Sequence, residues 1–234
     1  MRSRALVAEF VGTALLLAAV VGSGIMGERL AHGNQGLALL ANALATGAAL
    51  VALILTFGSI SGAHFNPAVS LADASAGGLR WLDAGGYAGV QMLGALLGVA
   101  VANVMFGEPI YAVSQHTRSG FPQMLSEGVA TFGLLSVIWG CGRHRPDAVP
   151  FAVGAYITAA YWFTASTSFA NPAVTLARAL TDTLTGIRPA DVPAFIAAQM
   201  LGAAAATVLF RWLLPPLSVR SKDVRVPQEG VMPS

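Results

Sequence analysis

The chain has 234 residues, of which 55% are hydrophobic and 10% are charged, with a mean hydropathy of +0.66 and a formal net charge of +2. So few charges cannot cover the surface of a water-soluble domain, and the composition therefore indicates an integral membrane protein. The small net charge gives no reason to expect a nucleic-acid partner. The single cysteine, Cys141, excludes an intrachain disulfide.

Apolar stretches long enough to cross a bilayer recur along the chain. A helix needs roughly 20 apolar residues to span about 30 Å of hydrocarbon, and six stretches qualify: 5–26, 36–58, 84–106, 125–142, 148–167 and 192–214. The first follows two arginines and resembles a signal peptide, but because five more spans follow we interpret it as a retained helix. Two shorter helical segments, 67–77 and 172–182, cannot span and are predicted to be re-entrant. The polar tail 215–234 is expected to be mobile.

The two halves of the chain, about 5–110 and 123–214, repeat one order of features. Each half has three spans, so the halves must insert with opposite orientation. We therefore predict an all-α integral membrane fold in one domain over 1–234, with six transmembrane helices and two re-entrant half-helices in an inverted repeat. The matching features are a glutamate within the first span, an Asn-Pro-Ala triplet and a Gln-Met-Leu-Gly span: Glu9 and Glu127, Asn66 and Asn171, Gln91 and Gln199.

The two triplets are typical helix starts. Asparagine caps the first turn and proline suits the first helical position, so Asn66-Pro67-Ala68 and Asn171-Pro172-Ala173 each predict the start of a half-helix. Each N-terminus directs about half a positive charge at the membrane midplane, which disfavours cations there. The asparagine amides can also donate to a passing solute.

The distribution of Lys and Arg predicts the orientation. With the N-terminus inside, the loops and ends on that side carry nine basic residues and the other side carries four. This asymmetry favours cytoplasmic N- and C-termini in a multi-pass protein of the inner (plasma) membrane.

The stretches "SGAHFNPAVS" and "SFANPAV", with the two glutamate spans and the two "QMLG" spans, resemble the aquaporin and aquaglyceroporin (major intrinsic protein) family over about residues 5–214. The resemblance implies a pore in each subunit of a homotetramer and single-file passage of neutral solutes along backbone carbonyls. It also implies that Glu9 and Glu127 hold the re-entrant loops by hydrogen bonds, the alternative being direct contact with the permeant. The expected carbonyls belong to Gly62, Ala63, His64 and Phe65, and to Thr167, Ser168, Phe169 and Ala170.

His64 flanks the predicted pore. It is either a neutral imidazole braced by hydrogen bonds or a proton-binding, gating group. No metal site or other cofactor is predicted, because the four histidines are scattered and no cysteine or carboxylate cluster accompanies them.

The sequence departs from the resemblance at the residue after the second triplet, which is Val174 where most family members have a pore-lining arginine. Counting back from the two asparagines without gaps places Thr46, Ala159 and Ser168 beside it in the constriction. All four residues are small, so we expect a wide, weakly polar selectivity filter. Such a filter is similar to that of a bacterial aquaglyceroporin subgroup linked to arsenic resistance.

Arg178 lies four residues after Val174 and therefore on the same helix face, one turn further out. Its counterpart in the first half-helix is Asp73, and the two charges can shape the fields at the two mouths. The alternative is that Arg178 pairs with Asp182 and never meets the solute.

The leading hypothesis is a passive channel in the lipid bilayer for small neutral solutes: trivalent arsenicals, polyols such as glycerol, and some water. One alternative is a general water and glycerol facilitator without an arsenic role. A different class is an ion-coupled transporter, since inverted repeats with broken helices also build those, but no carboxylate lies at the triplets. An enzyme is not expected, because no nucleophile is paired with a base.

Overall fold

The computed structural model describes residues 2–214, and the predicted tail 215–234 lies outside these residues. Within them the chain is helical and contains no strand. Two single 3₁₀ turns, Pro146–Ala148 and Pro189–Asp191, precede α6 and α8. The α-helices are α1 (Arg2–Leu30), α2 (Gln35–Ser61), α3 (Pro67–Ala76), α4 (Trp81–Met105), α5 (Phe121–His144), α6 (Val149–Phe163), α7 (Pro172–Arg178) and α8 (Val192–Leu213).

The predicted fold class is confirmed. Five helices (α1, α2, α4, α5 and α8) are long and apolar enough to span a membrane. The sixth predicted span, α6, has only 15 residues and ends at Phe163, four residues before the predicted end. Its preceding 3₁₀ turn extends the helical path. The two short helices are α3 and α7, as the triplets predict, but α7 ends at Arg178 because the chain turns at Ala179 and Leu180.

Close helix packing depends on glycine. α1 packs on α4, α5 on α8, and α2 on α6, so each half contributes one long pair and the halves meet along α2 and α6. A Cβ at Gly94 or Gly98 would collide with the α1 backbone, and one at Gly202 would collide with the α5 backbone. These contacts fit small residues at membrane helix interfaces. Gly85 and Gly89 have the same spacing, but a Cβ at either would meet nothing within 4 Å among the described residues.

Both half-helices begin at the predicted asparagine. The Asn66 side chain accepts a hydrogen bond from the Ala68 N–H at 2.9 Å. The Asn171 side chain accepts from the N–H groups of Ala173 and Val174 at 3.0 and 3.2 Å. Proline occupies the first turn of each helix, where no N–H partner is needed. Both half-helices therefore begin directly after their asparagine, and the loops before them form the site.

Candidate pore

A cavity of about 170 Å³ lies between the two halves. Both re-entrant loops and both half-helices contribute to its wall, together with α1, α2, α5 and α6. One end is lined by Arg178 and the other by Asp73 and Trp139, and these are called here the Arg178 end and the Asp73 end. Apolar side chains form much of the wall: Leu16, Val20, Leu50, Ile54, Val69, Leu134, Ile138, Val149, Val153 and Ile157.

The two triplets meet at the centre of this cavity. Asn66 Nδ2 donates to the Ala170 carbonyl at 2.7 Å, and Asn171 Nδ2 donates to the Phe65 carbonyl at 2.8 Å. The contact is reciprocal, as the inverted repeat requires. An amide group has two N–H donors, so each asparagine keeps a second one beside the cavity that it lines.

Glu9 holds the first re-entrant loop. One carboxylate oxygen accepts the His64 N–H at 2.9 Å, and the other accepts the Phe65 N–H at 2.7 Å and Gln91 Nε2 at 2.8 Å. The Ser61 hydroxyl donates to Glu9 Oε1 at 2.6 Å. The carboxylate is fully buried and is therefore stabilised by these donors rather than by water.

Glu127 holds the second loop in the same way. Its two oxygens accept the N–H groups of Phe169 and Ala170, both at 2.9 Å, and Gln199 Nε2 donates at 2.6 Å. The described lining of the cavity includes neither Glu127 nor Glu9. The geometry therefore corresponds to the bracing role and not to contact with the permeant.

The glutamates also direct the loop carbonyls. In a trans peptide the C=O points away from the N–H of the next residue, and no peptide bond in the described chain is cis. The carbonyls of Ala63, His64, Ser168 and Phe169 therefore point away from the glutamates, and all four residues line the cavity. Such a path needs left-handed backbone, with positive φ at Ala63, Phe65, Thr167, Ser168 and Ala170.

The pore-lining carbonyls differ from the expectation at three residues, Phe65, Ala170 and Thr167. The carbonyls of Phe65 and Ala170 accept the asparagine amides and are shared with them. Thr167 is absent from the described cavity lining, and its hydroxyl instead lies 3.5 Å from Arg118.

Three of the four predicted filter residues line the cavity: Thr46, Ser168 and Val174. Ala159 is exposed on the outside of α6, and its predicted place in the constriction is wrong. Tyr161 lines the cavity instead, with its hydroxyl 3.2 Å from Thr46 Oγ1. The filter is therefore not built of small residues alone.

Helix phase explains the difference. Counting back from Asn171 assumes a fixed loop length, whereas two residues along a helix rotate a side chain by about 200°. The face of α6 that lines the cavity repeats every four residues through Val153, Ile157 and Tyr161. This stripe of larger side chains at i, i+4 and i+8 is visible in the sequence, and it indicates which face of α6 lines the cavity.

Arg178 is 2% exposed and lines the cavity, so it faces the pore. Its Nε donates to the Thr185 carbonyl, and its guanidinium carbon lies 3.4 Å from the Phe169 ring centroid. The alternative partner, Asp182, accepts the Gln115 N–H at 2.8 Å, and no ion pair with Arg178 is found among the described residues. The predicted alternative pairing is therefore wrong.

The Asp73 end is acidic and aromatic. Asp73 lines the cavity with its carboxylate 3.9 Å from His64 Nε2, while His64 Nδ1 lies 3.1 Å from the Ser70 hydroxyl. His64 also packs edge-on against Tyr87. Trp139, which the sequence did not single out, lines the wall here, and its indole N–H has no partner within residues 2–214. The hydrogen bond to Ser70 and the ring contact with Tyr87 hold the imidazole in place.

Arg118, in the segment between α4 and α5, is a third residue near the site that the sequence analysis did not single out, after Tyr161 and Trp139. Its side chain donates to the carbonyls of Gly186 at 2.7 Å and Leu184 at 3.2 Å, and its guanidinium lies 5.0 Å from the Phe169 centroid. Burial lowers the pKa of Arg118, while the charge of Glu127 opposes that shift. Nothing in its sequence neighbourhood indicated this position.

In the described part of the chain, no group of three or more metal-binding side chains occurs.

Together, a helical membrane bundle and a central cavity flanked by two half-helices define a pore-forming membrane protein. Residues 1–147 and 142–232 each match the family described as Major intrinsic protein, and the chain belongs to this family.

Individual relatives agree with this assignment. The chain is 55% identical over 214 residues to "Aquaglyceroporin AqpS" of Rhizobium meliloti (strain 1021), covering 92% of this chain and 91% of the relative. It is 32% identical over 190 residues to "Aquaporin NIP3-1" of Arabidopsis thaliana, covering 75% of this chain and 58% of that protein. The X-ray structure of the aquaglyceroporin from Plasmodium falciparum matches with a TM-score of 0.68 over 91% of this chain and 95% of that chain, at 21% identity, and shows the shared fold.

Aquaporins of this family are channels and not enzymes, so the chain is a multi-pass membrane channel for small solutes of the water and glycerol type.

Proposed function

We propose that this channel passes small neutral solutes with several hydroxyl groups by passive flow: trivalent arsenicals such as arsenous acid and methylarsonous acid, polyols such as glycerol, and some water. The observation that carries the proposal is Val174, a buried aliphatic side chain in the cavity wall at the position after the second Asn-Pro-Ala triplet. An aliphatic side chain there leaves room for solutes with apolar substituents. The name of the 55%-identical relative, an aquaglyceroporin, supports the polyol part.

The polar side of the cavity matches hydroxylated solutes. The loop carbonyls accept hydrogen bonds from hydroxyls, and the second N–H of each asparagine donates to them. The Ser168 hydroxyl is buried in the wall and has no partner within residues 2–214, so it can bind a solute oxygen. Arsenous acid is an uncharged trihydroxide and offers the same donors and acceptors as a small polyol.

The apolar side of the cavity matches the remaining surface of such solutes. Leu50 and Ile157 belong to the aliphatic wall beside the filter residues. A methyl group on arsenic contacts such a wall without loss of hydrogen bonds, whereas a hydrated ion would lose its water shell. Tyr161 restricts the opening, so the proposed pore is selective by size as well as by polarity.

A general water and glycerol facilitator remains the same-family alternative. The ion-coupled transporter is disfavoured because the buried glutamates are occupied by backbone and glutamine donors and are not part of the described cavity lining. A coupling ion would need a carboxylate near the centre of the cavity, and Asp73 lies towards one end.

The test is solute uptake into proteoliposomes, measured by stopped-flow light scattering for water, glycerol, arsenous acid and methylarsonous acid. We expect arsenical flux comparable with glycerol flux, far above that of protein-free liposomes and unaffected by an imposed proton or sodium gradient. Water and glycerol flux without arsenical flux would leave only the general facilitator. A flux that depends on an ion gradient would instead support the transporter.

We further propose a homotetramer with cytoplasmic termini in the plasma membrane. Large apolar side chains on several helices are exposed in the single subunit, among them Leu15, Leu44, Leu93 and Leu201, and both lipid and neighbouring subunits can cover such faces. In this orientation the Arg178 end opens to the outside. Native mass spectrometry checks the tetramer, and protease access to the two termini in sealed inside-out vesicles checks the orientation.

A further inference from the structure

The arginine absent from position 174 has a counterpart one helical turn away. Arg178 is the largest fully buried side chain in the described chain, and it lines the same cavity as Val174. Charged side chains in a membrane protein are costly to bury and are retained mainly where they face a cavity or a partner. Arg178 has no carboxylate partner among the described residues, so the cavity is what it faces.

The surrounding loop fixes the orientation of Arg178. Its Nε donates to the Thr185 carbonyl, and its guanidinium carbon lies over the Phe169 ring, 3.4 Å from the centroid. Arg118 approaches the same ring at 5.0 Å. Two cations near one aromatic ring repel each other, while the face of the ring attracts both. The arrangement places two guanidinium groups on one aromatic ring that lines the cavity.

The groups left to meet a solute are the two terminal nitrogens of Arg178. Only Nε forms a hydrogen bond to another described residue, and the terminal nitrogens are not among the buried polar atoms without a partner. They therefore reach the cavity surface. A guanidinium presents its N–H donors in a rigid fork that fits two neighbouring oxygen atoms of one molecule.

We propose that Arg178 is the specificity-determining residue at this end of the pore. Its terminal nitrogens donate hydrogen bonds to neighbouring hydroxyl oxygens of the solute, and its charge excludes cations. This inference rests on the proposed passage of neutral hydroxylated solutes. It goes beyond that proposal, because it assigns both selection of hydroxyls and exclusion of cations to a residue on the second turn of the half-helix.

The experiment compares wild type with Arg178→Met, Arg178→Lys and Arg29→Met in the same proteoliposomes. Arg29 is a matched control, because it lies in the last turn of α1 and is not part of the described cavity lining. Its side chain is exposed and pairs with Glu108 at 2.8 Å. Two readouts are needed. The first is the ratio of glycerol to 1,3-propanediol permeability, since 1,3-propanediol has the same three carbons without two neighbouring hydroxyls, and the second is the sodium and proton leak under an imposed potential.

For Arg178→Met we expect the cation leak to rise roughly 10- to 100-fold, which corresponds to the loss of about 1.4–2.8 kcal/mol of repulsion from one unit charge near the path. The glycerol to 1,3-propanediol ratio should fall, because the guanidinium N–H groups that donate to neighbouring hydroxyl oxygens are lost. Arg178→Lys keeps the charge without the fork, so it should exclude cations like wild type but show the lowered ratio. Arg29→Met should match wild type in both readouts.

Unchanged leak and ratio in Arg178→Met would overturn the inference while leaving the proposed function intact. If Arg178→Met fails to fold, Arg178→Lys carries the test, and a wild-type ratio in that variant overturns hydroxyl selection. The double variant Val174→Arg with Arg178→Met restores a guanidinium nearby, and it should recover cation exclusion. A wild-type protein that passes no neutral solute would refute the proposed function itself.

Discussion

The Glu127 carboxylate offers the sharpest test of how the pore is held open. In Glu127→Gln one accepting oxygen becomes an NH₂ donor, which must face another donor, since Phe169 N, Ala170 N and Gln199 Nε2 all point at this group. Hydrogen bonds to a charged group contribute roughly 1.5–3 kcal/mol each, and neutral ones about 1 kcal/mol. The substitution therefore loses one bond and weakens the other two.

We expect Glu127→Gln to lower the free energy of unfolding by about 3–5 kcal/mol. This corresponds to a fall in Tm of roughly 6–20 °C for a chain of this size. Removing the charge also removes its desolvation cost, but the backbone N–H groups of the loop cannot be replaced by apolar groups, so little is recovered. The left-handed residues Thr167, Ser168 and Ala170 should then relax, and glycerol flux should fall.

The assay is thermal unfolding in detergent, followed by the fraction of protein that stays monodisperse on size exclusion, together with glycerol flux. Glu9→Gln, at the equivalent site, should behave alike. Glu108→Gln is the matched control, because its partner Arg29 is exposed and a surface ion pair contributes at most about 1 kcal/mol. A Glu127→Gln protein that melts within 2–3 °C of wild type and conducts glycerol normally would contradict the bracing role.

Val174→Arg should narrow the solute range, excluding methylated arsenicals while water flux is retained, and the proteoliposome assay measures both. Tyr161→Ala should admit larger polyols, because it removes the largest side chain of the constriction. Ala159→Leu should leave the flux of every solute unchanged, since Ala159 is exposed. A narrower range of permeant solutes in this variant would show that Ala159 belongs to the filter. Asp73→Asn should leave cation exclusion near the wild-type value, and a large change in sodium leak would move the barrier towards the Asp73 end.

The skeleton of the pore could be predicted from the sequence because it depends on local chemistry. Asparagine is a favoured N-cap and proline suits the first helical position, so the two triplets, each after an apolar span, indicate the starts of α3 and α7. Glu9 and Glu127 stand out because an ionisable residue within an apolar span is costly to bury and is retained mainly where it has polar partners or a function.

The lining of the pore could not be predicted in the same way. It depends on the phase of each helix, and the gapless count that selected Ala159 carried no information about the face of α6. The contacts of Arg118 depend on a long segment between helices that packs against the loop after α7, and no local pattern encodes such a path. Likewise, α7 ends earlier than predicted because the chain turns at Ala179 and Leu180, and Ile187 N, nine residues on, donates to the Arg178 carbonyl.

The two half-helices have equivalent frames and carry opposite charges at equivalent positions, and the proposed selectivity rests on this asymmetry. Asp73 and Arg178 each lie seven residues after their asparagine, and both line the cavity. A cation is favoured in the last turn of a helix and a carboxylate is disfavoured there, so the helix dipole favours Arg178 at its position and disfavours Asp73 at the equivalent one. A cation entering from the Asp73 end meets attraction first and repulsion only beyond the centre. In the proposed assignment, the barrier to cations and the groups that recognise hydroxyls therefore lie in the same half of the cavity, whose lining includes Val174, Ser168 and Arg178.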